Sequence, residues 1–371
     1  MATQTGSGTE LEKYLVAGYS NDAQARAQCL AFLERLLSEN LGMGVGKLAE
    51  EMANEKTVPG ARQMAGTYIK NALYSDDASI FRAKAKQWLD VPAELRNKIK
   101  PLLLQPLASK VSIASRAAAR AVSAVATIEI PAKQWIELLD MLRNVVTNPE
   151  LDMDLRKNSM NCLGSICEHT PSEALAEHSD KILTAIMTGM RPEAGTQLIS
   201  EGARAFYHCI ESASKNFSRP KERDLIMTVI HSTCNNEDDD VKVLGLECLV
   251  EIARVYYAYL GPYMEGLYNV TIAAIKHEEE EIAKQGVEFW CTLTDAELDI
   301  QWTIEEALSC GERPEVELHN YLKAVAGNLI PLLLETMTKQ EEGDSIQQYS
   351  LPMAAATCLS LIAQLLSDLI V

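Results

Sequence analysis

An apolar helical pattern recurs along this chain about every 43 residues, and this period limits the folds that the chain can adopt. Similar apolar blocks begin at Ile182, Leu225 and Leu267, which are 43 and 42 residues apart. Each block has helical spacing and leads through a short polar turn into a second apolar helix. Two helices every forty-odd residues are typical of HEAT and armadillo repeats. The sequence therefore predicts an all-α HEAT-repeat solenoid, a right-handed superhelix of antiparallel helix pairs.

The second helix of a pair carries a recurring cysteine–leucine dipeptide, which begins at Cys29, Cys162, Cys248 and Cys358. A thiol in an apolar seam, with no base or cation beside it, is unreactive. These cysteines are therefore interpreted as small core groups. The pattern predicts about eight helix pairs in one array over residues 1–371, with second helices near 22–38, 60–73, 112–127, 154–168, 199–214, 240–257, 280–293 and 350–367.

The repeat spacing is broken once, between Leu267 and Leu329, which are 62 residues apart. That separation is about twenty residues more than one repeat needs. Residues 300–317 are therefore interpreted as an inserted loop, with "SCGERPEVE" at the surface. The last repeat carries no polar cap, which favours the N-terminal part of a longer array.

The charge of the chain favours protein partners that are basic. The formal net charge is −18 and the pI is near 4.9. Such a body repels phosphate backbones and anionic membranes and attracts cationic ligands. No apolar run reaches the length that spans a bilayer, and nine cysteines without a CxxC pair are typical of a reduced, intracellular protein. We therefore expect no nucleic-acid partner and no membrane insertion.

Motifs for catalysis are weak along the chain. The segment Leu41–Glu51 resembles a phosphate-binding loop, but Leu48 stands where Ser or Thr should bind magnesium. The six histidines form no zinc-binding pattern. The acidic run His277–Lys284 is either a hard-cation site or a solvated helix turn, and its four consecutive carboxylates point in different directions. The prediction is a recognition protein, a scaffold or a transport receptor, with no enzymatic activity, cofactor or metal.

Several segments resemble importin-β, the karyopherin-β nuclear import receptors, and they follow the family's order. They are "MAGTYIKNAL" from Met64, "KQWLDV" from Lys86, "IEIPAKQWIELL" from Ile128, "KILTAIMTGM" from Lys181, "ERDLIM" from Glu222 and "VEFWCTLTDAELDI" from Val287. The resemblance implies a receptor that carries cargo, directly or through an importin-α-type adaptor, through the nuclear pore. It implies weak binding to phenylalanine–glycine (FG) nucleoporins, release by Ran-GTP, and residence in cytoplasm, nucleus and nuclear pore. The alternative is a HEAT-repeat scaffold subunit of another intracellular complex.

The resemblance also implies residues that contact Ran. Repeats 1–3, residues 1–128, would bind Ran-GTP, and the acids of repeats 7–8, residues 262–371, would meet a basic patch of Ran. In the loop 340–349 the family has a long acidic run closed by tryptophan, whereas Tyr349 stands here and most of the acids are replaced, which weakens this contact. Read from chemistry alone, Lys70 is equally an ordinary exposed lysine. The candidates are Lys70, Asn71, Glu288, Asp295, Glu341, Glu342 and Asp344.

A second implied surface, in repeats 4–6 over residues 131–257, inserts FG phenylalanines between neighbouring outer helices. A thioether such as that of Met187 can repack around a ring. Each candidate can instead pack within its own repeat, Ile186 above all. A third surface, the inner face, would hold a basic import signal or adaptor, and this contact is weakened because the family makes most of it through later repeats. The FG candidates are Leu183, Thr184, Ile186, Met187, Glu222, Leu225 and Ile226.

Overall fold

The computed structural model describes residues 9–338 and 350–366. Within these ranges the regular structure is helical and contains no strand, which confirms the expected all-α class. The chain divides into two compact units, Met1–Gly189 and Met190–Val371. Each unit is built from helix pairs.

Unit 1 contains a 3-10 helix at Gln105–Ala108 and eleven described α-helices. These are α1 Glu10–Ala17, α2 Ala23–Glu39, α3 Leu41–Ala53, α4 Pro59–Leu73, α5 Ala78–Leu89, α6 Ala93–Leu104, α7 Ser112–Glu129, α8 Glu137–Thr147, α9 Met153–His169, α10 Ser172–Ala176 and α11 Ser179–Gly189. In one layer α4, α7 and α9 pack in succession. In the other layer α3 packs against α6, and α8 against α11.

Unit 2 repeats this two-layer arrangement. Its α-helices are α12 Thr196–Cys209, α13 Ser214–Phe217, α14 Pro220–Cys234, α15 Asp239–Tyr256, α16 Met264–Ile275, α17 Glu280–Ser309, α18 Tyr321–Met337 and α19 Leu351–Leu365. Short 3-10 helices occupy Pro192–Ala194, Ile210–Ala213, Tyr257–Tyr259 and Gly261–Tyr263. The second helices α12, α15, α17 and α19 pack in succession, and the first helices α14, α16 and α18 form the other layer.

The second helices begin close to the predicted positions, and aspartate caps account for several of the starts. The carboxylate of Asp22 accepts a bond from the backbone N–H of Gln24, and Asp152 and Asp238 cap α9 and α15 in the same way. Such caps satisfy backbone donors that have no partner within the helix. Ser350 precedes α19 as expected, with proline in the first turn, although its hydroxyl makes no capping bond.

The inserted loop predicted at residues 300–317 is wrong in its first half, because α17 continues without interruption to Ser309. Between Gly286 and Gly311 the sequence has no glycine or proline, and Gly311, which adopts φ +73°, follows the end of the helix. The non-helical part is anchored by the buried carboxylate of Glu297. This group accepts bonds from the Tyr257 hydroxyl at 3.0 Å and the Tyr321 backbone N–H at 2.5 Å. Burial raises the pKa of Glu297.

The cysteines of the recurring dipeptide lie in the seam between successive second helices, as predicted. All four are fully buried. The Cys162 thiol donates to the Ala119 carbonyl at 3.7 Å, and the Cys248 thiol donates to the Ala203 carbonyl at 3.3 Å. Each bond reaches back to the preceding second helix, over 43 and 45 residues. Burial raises the pKa of Cys248 well above its usual range, so its thiol stays protonated.

Buried arginines connect the two helices of a pair in unit 1. Arg62 Nε donates to the Met52 carbonyl at 2.9 Å, and Arg156 Nε donates to the Val146 carbonyl at 3.0 Å. In both pairs the acceptor lies ten residues upstream, at the end of the first helix. Carbonyls at a helix C-terminus lack intrahelical partners and attract cations. The arginine therefore fixes the turn between the helices.

A buried charge cluster stabilises the middle of unit 1. The carboxylate of Glu129 is fully buried and lies 2.6 Å from Arg96 Nη1 and 2.6 Å from Lys100 Nζ. It also accepts a bond from Trp88 Nε1 at 3.0 Å. Both cations are nearly buried, so each depends on this one carboxylate for compensation.

Glu129→Gln is expected to destabilise unit 1 by about 3–5 kcal/mol, because two buried cations lose their counter-ion. Urea unfolding followed by circular dichroism measures the loss. The matched control is Arg35→Ala, which removes an exposed i,i+4 pair with Glu39 and should leave the midpoint unchanged. Equal midpoints for the Glu129 variant and the unmodified chain would contradict a structural role for the cluster.

Candidate partner-binding surfaces

The predicted Ran contacts Lys70 and Asn71 line a cavity of about 330 Å³ on the layer formed by α4, α7 and α9. The Lys70 ammonium lies 5.0 Å from the centre of the Tyr74 ring. The same ring meets the His169 imidazole edge-on, with 4.7 Å between ring centres. The full lining is Thr67, Lys70, Asn71, Tyr74, Arg120, Ser123, Ala124, Ser165, Glu168 and His169.

The end of α4 that carries Lys70 and Asn71 is held by Lys84. The Lys84 ammonium donates to the carbonyls of Asn71 and Tyr74, the latter at 3.0 Å. These are the carbonyls that a helix C-terminus leaves without partners. Burial, and then the charge of Lys70, lower the pKa of Lys84. Two ammonium groups are thus held near each other beside the cavity.

On the α7 and α9 side of the cavity, two side chains bond to the same backbone carbonyl. The Ser165 carbonyl on α9 accepts a bond from the Ser123 hydroxyl on α7 at 2.8 Å. The Nδ1 atom of His169 also lies 2.8 Å from this oxygen. Because a carbonyl only accepts, Nδ1 carries the proton there. Tyr74, Arg120 and His169 were missed at the sequence level, since they come from three helices at spacings that do not follow the repeat.

The predicted acidic contacts Glu288 and Asp295 lie two turns apart on α17. Glu288 is half-buried and Asp295 is exposed. Burial, and then the charge of Asp295, raise the pKa of Glu288, and burial and Asp299 raise that of Asp295. Glu288 also lines a groove of about 500 Å³ between second helices, whose lining is Arg204, Tyr207, His208, Leu244, Glu247, Val250, Glu251, Gln285 and Glu288. The remaining predicted Ran contacts, Glu341, Glu342 and Asp344, lie outside the described residues.

The predicted FG contacts fall on α11 in unit 1 and on α14 in unit 2, and they differ sharply in exposure. Ile186 is fully buried, which agrees with the alternative prediction that it packs within its own repeat. Leu225 is 49% exposed, whereas its neighbour Ile226 is 2% exposed. The Glu222 carboxylate accepts bonds from Asn216 and Arg219, each at 2.7 Å. The others divide into buried Leu183 and Met187 and exposed Thr184, whose hydroxyl donates to the Asp180 carbonyl.

A further groove lies between the first helices α14 and α16 of unit 2, with a volume of about 570 Å³. The sequence analysis did not predict this groove. Leu267, in its lining, aligns with Leu225 in the repeat, so the repeat pattern could have located it. The Tyr263 hydroxyl is held at its edge by the Asp224 carboxylate, 2.5 Å away. The lining is Asp224, Met227, Thr228, His231, Pro262, Tyr263, Glu265, Gly266, Leu267 and Asn269.

The phosphate-loop-like segment Leu41–Glu51 is helical in the structure. The glycines Gly42 and Gly44 of the phosphate-loop-like segment lie inside α3 and are buried. Among residues 9–338 and 350–366, no cluster of three or more His, Cys, Asp or Glu side chains is arranged to hold a metal ion. Across the same residues, no helix is both long and apolar enough to cross a membrane.

Comparison with known sequences identifies relatives over almost the entire chain. A family model of IPO5-like TPR repeats matches residues 111–270. Importin subunit beta-1 of Schizosaccharomyces pombe is 32% identical over 363 residues, which are 97% of this chain and 42% of that protein. Importin subunit beta-1 of Arabidopsis thaliana is 32% identical over 98% of this chain and 42% of its own length. The chain thus spans about two fifths of the curated relatives that it matches.

Solved structures give the same result for the fold. Yeast importin-β, Kap95p, superposes with a TM-score of 0.90 at 28% identity, over 97% of this chain and 43% of that one. The Kap95:Nup1 complex superposes with a TM-score of 0.87 at 28% identity, over 96% of this chain and 41% of that one. A third structure, also with a TM-score of 0.87, reports that Kap95p binding induces the switch loops of RanGDP to adopt the GTP-bound conformation.

The sequence resemblance, the paired helices and the superposition agree along the chain. The expected relationship to importin-β is thereby confirmed. Over nearly its whole length this chain is homologous to importin subunit beta-1, of which it spans about two fifths.

Proposed function

We propose that this chain acts in nuclear import, as part of a receptor that carries cargo through the nuclear pore and releases it on binding Ran-GTP. The observation that carries this proposal is the 32% identity to importin subunit beta-1 along 97% of the chain. The receptor would work in the cytoplasm and nucleus and at the pore. The chain spans only part of its relatives, so its division into a Ran-binding region at 1–128, a nucleoporin-binding region at 131–257 and repeats 7–8 at 262–371 belongs to the proposal.

The Ran contact is proposed to use both units. In unit 1, Lys70 and Asn71 line the cavity between second helices. In unit 2, burial and then the charge of neighbouring carboxylates raise the pKa values of Glu288 and Asp295, and a basic patch of a partner would relieve the repulsion among these carboxylates. The solved structure in which Kap95p binds RanGDP supports a Ran partner by homology.

The contact with nucleoporins is proposed to lie on the first-helix layer, at the exposed Leu225 of α14 and in the groove between α14 and α16. The α14–α16 groove is large enough for a phenylalanine ring, and Met227 in its wall can adapt its shape. Burying one ring contributes about 2–3 kcal/mol, which gives weak and rapidly exchanging contacts. Passage through a crowded pore requires such exchange. The Kap95:Nup1 complex supports a nucleoporin partner by homology.

A basic cargo signal or an importin-α-type adaptor is the third proposed partner. The net charge of −18 favours a cationic, extended ligand. The groove beside Glu247, Glu251 and Glu288 concentrates this charge on the second-helix layer of unit 2. Because the chain spans two fifths of its relatives, we expect its own affinity for an adaptor to be weaker than that of a full-length receptor.

The chain should bind Ran loaded with a non-hydrolysable GTP analogue more tightly than Ran-GDP. The GDP form must first adopt the GTP-bound switch conformation, and that rearrangement lowers its apparent affinity. Affinity should fall as salt rises, because acids meet a basic patch. Isothermal titration calorimetry at two salt concentrations measures both effects.

The double variant Glu288→Gln/Asp295→Asn should weaken Ran binding and flatten the salt dependence. Glu39→Gln, at an exposed acid of α2, is the matched control and should bind as the unmodified chain does. Equal affinity for the two nucleotide states would count against the proposed function.

Leu225→Asp should reduce retention on an immobilised FG-repeat peptide by about tenfold, or about 1.4 kcal/mol, because a charge replaces an exposed apolar contact. The side chain is half exposed, so thermal unfolding should not change. Ile226→Asp, one residue away, should instead unfold α14, since it buries an unpaired charge.

The control for this measurement is Leu334→Asp on α18, where the native side chain is 53% exposed. It should leave retention unchanged. If Leu225→Asp is retained as strongly as this control, Leu225 is not part of the nucleoporin contact.

A further inference from the structure

The cavity on α4, α7 and α9 is a basic site within an acidic chain. Its lining carries the cations Lys70 and Arg120, and a single carboxylate, Glu168. That carboxylate lies 3.5 Å from Nδ1 of His169, which is also in the lining. The whole chain has a formal charge of −18. Outside the lining, Asp76 adds a carboxylate that bonds the Tyr74 hydroxyl. Two cations on the wall of one cavity nevertheless favour a ligand of negative charge.

Arg120 differs from the arginines that stabilise the fold. Arg62 and Arg156 are buried, and each donates to a helix-end carbonyl. Arg120 is exposed on α7, at the rim of the cavity. Among the described residues its guanidinium takes part in neither an ion pair nor a hydrogen bond. Its five donors are therefore free for a ligand, in the fork geometry that matches a carboxylate.

A second cation is held at the same cavity by the fold. Lys70 lies over the face of the Tyr74 ring, which restricts the ammonium without neutralising it. The Lys84 ammonium, bound to the carbonyls at the end of α4, stands near enough for the two charges to repel. An anion between Lys70 and Arg120 would offset this repulsion.

The walls of the cavity select the kind of anion. The Tyr74 ring and the Ala124 methyl group supply apolar surface beside the two cations. The Nδ1 atom of His169 is engaged by the Ser165 carbonyl, so only Nε2 is left for a ligand. A volume of about 330 Å³ suits a side chain. Apolar walls around a charged end favour a carboxylate on an aliphatic stem over an inorganic anion.

We propose that this cavity is an anion-binding subsite that receives an acidic side chain of the GTPase, with Arg120 and Lys70 as its cationic ligands. The inference rests on the proposed function and adds to it a residue, Arg120, and a chemistry, carboxylate recognition. Arg120 then contributes to the affinity of unit 1 for the GTPase, while Tyr74 covers the aliphatic stem of the bound acidic side chain.

The test measures the affinity of GTP-loaded Ran for the unmodified whole chain and for four variants of it. Arg120→Ala should bind about tenfold more weakly, because it removes a charge-assisted hydrogen bond. Arg120→Glu should bind more weakly still, and Arg120→Lys, which keeps the charge, should recover most of the loss. The control is Arg116→Ala on the same helix, an exposed arginine outside the lining, which should bind within about twofold of the unmodified chain.

The outcomes separate the subsite from the function on which it rests. If the unmodified chain binds Ran-GTP and Arg120→Glu binds equally well, the subsite is overturned while the proposed function stands. If the unmodified chain does not bind Ran-GTP, both are overturned. Arg120 is exposed and makes no ion pair or hydrogen bond with the residues that the structure describes. Its variants should therefore keep the unmodified unfolding temperature, so a loss of affinity reports on binding.

Discussion

The close packing of α7 between α4 and α9 is the constraint on which unit 1 depends. A side chain at Gly66 on α4 would place its Cβ 2.8 Å from the Cβ of Ala117 on α7, so only glycine allows this approach. Small residues on α7 let the neighbouring helices come near on both sides, and most of that helix is buried. The distance between helices is set by the side chains at their contact. This packing brings Lys70, Arg120 and His169 to one cavity, although they belong to three repeats.

The chain uses its charges in two different ways. Inside unit 1, Glu129 compensates two buried cations, and Arg62 connects the helices of a pair. These charged groups therefore have their partners within the chain. On the surfaces of second helices, Arg120 in unit 1 and Glu288 in unit 2 are exposed or half-buried and lie in grooves. Charges of the second kind contribute little to stability and are available to partners.

The repeat period predicted most of the fold, because helix pairs of equal length recur at equal distances along the sequence. In addition, side chains between successive second helices must be small. Cys162 and Cys248 show this directly, since both thiols reach the preceding second helix. The extension of α17 to Ser309 was not predicted, because extra length does not distinguish a loop from a longer helix. Leu225 and Ile226 were assigned the same role, yet a helix turns by about 100° per residue and only one of them is exposed. The cavity depends on tertiary packing, which no local pattern encodes.

We propose that the GTPase binds the second-helix layer of unit 1, and hydroxyl-radical footprinting distinguishes this layer from the first-helix layer. Tyr74 lines the cavity in this layer and is half-buried, whereas Met141 is exposed on α8 in the first-helix layer. GTP-loaded Ran should lower the oxidation of Tyr74 and leave that of Met141 unchanged. Protection of Met141 with an unchanged Tyr74 would contradict it.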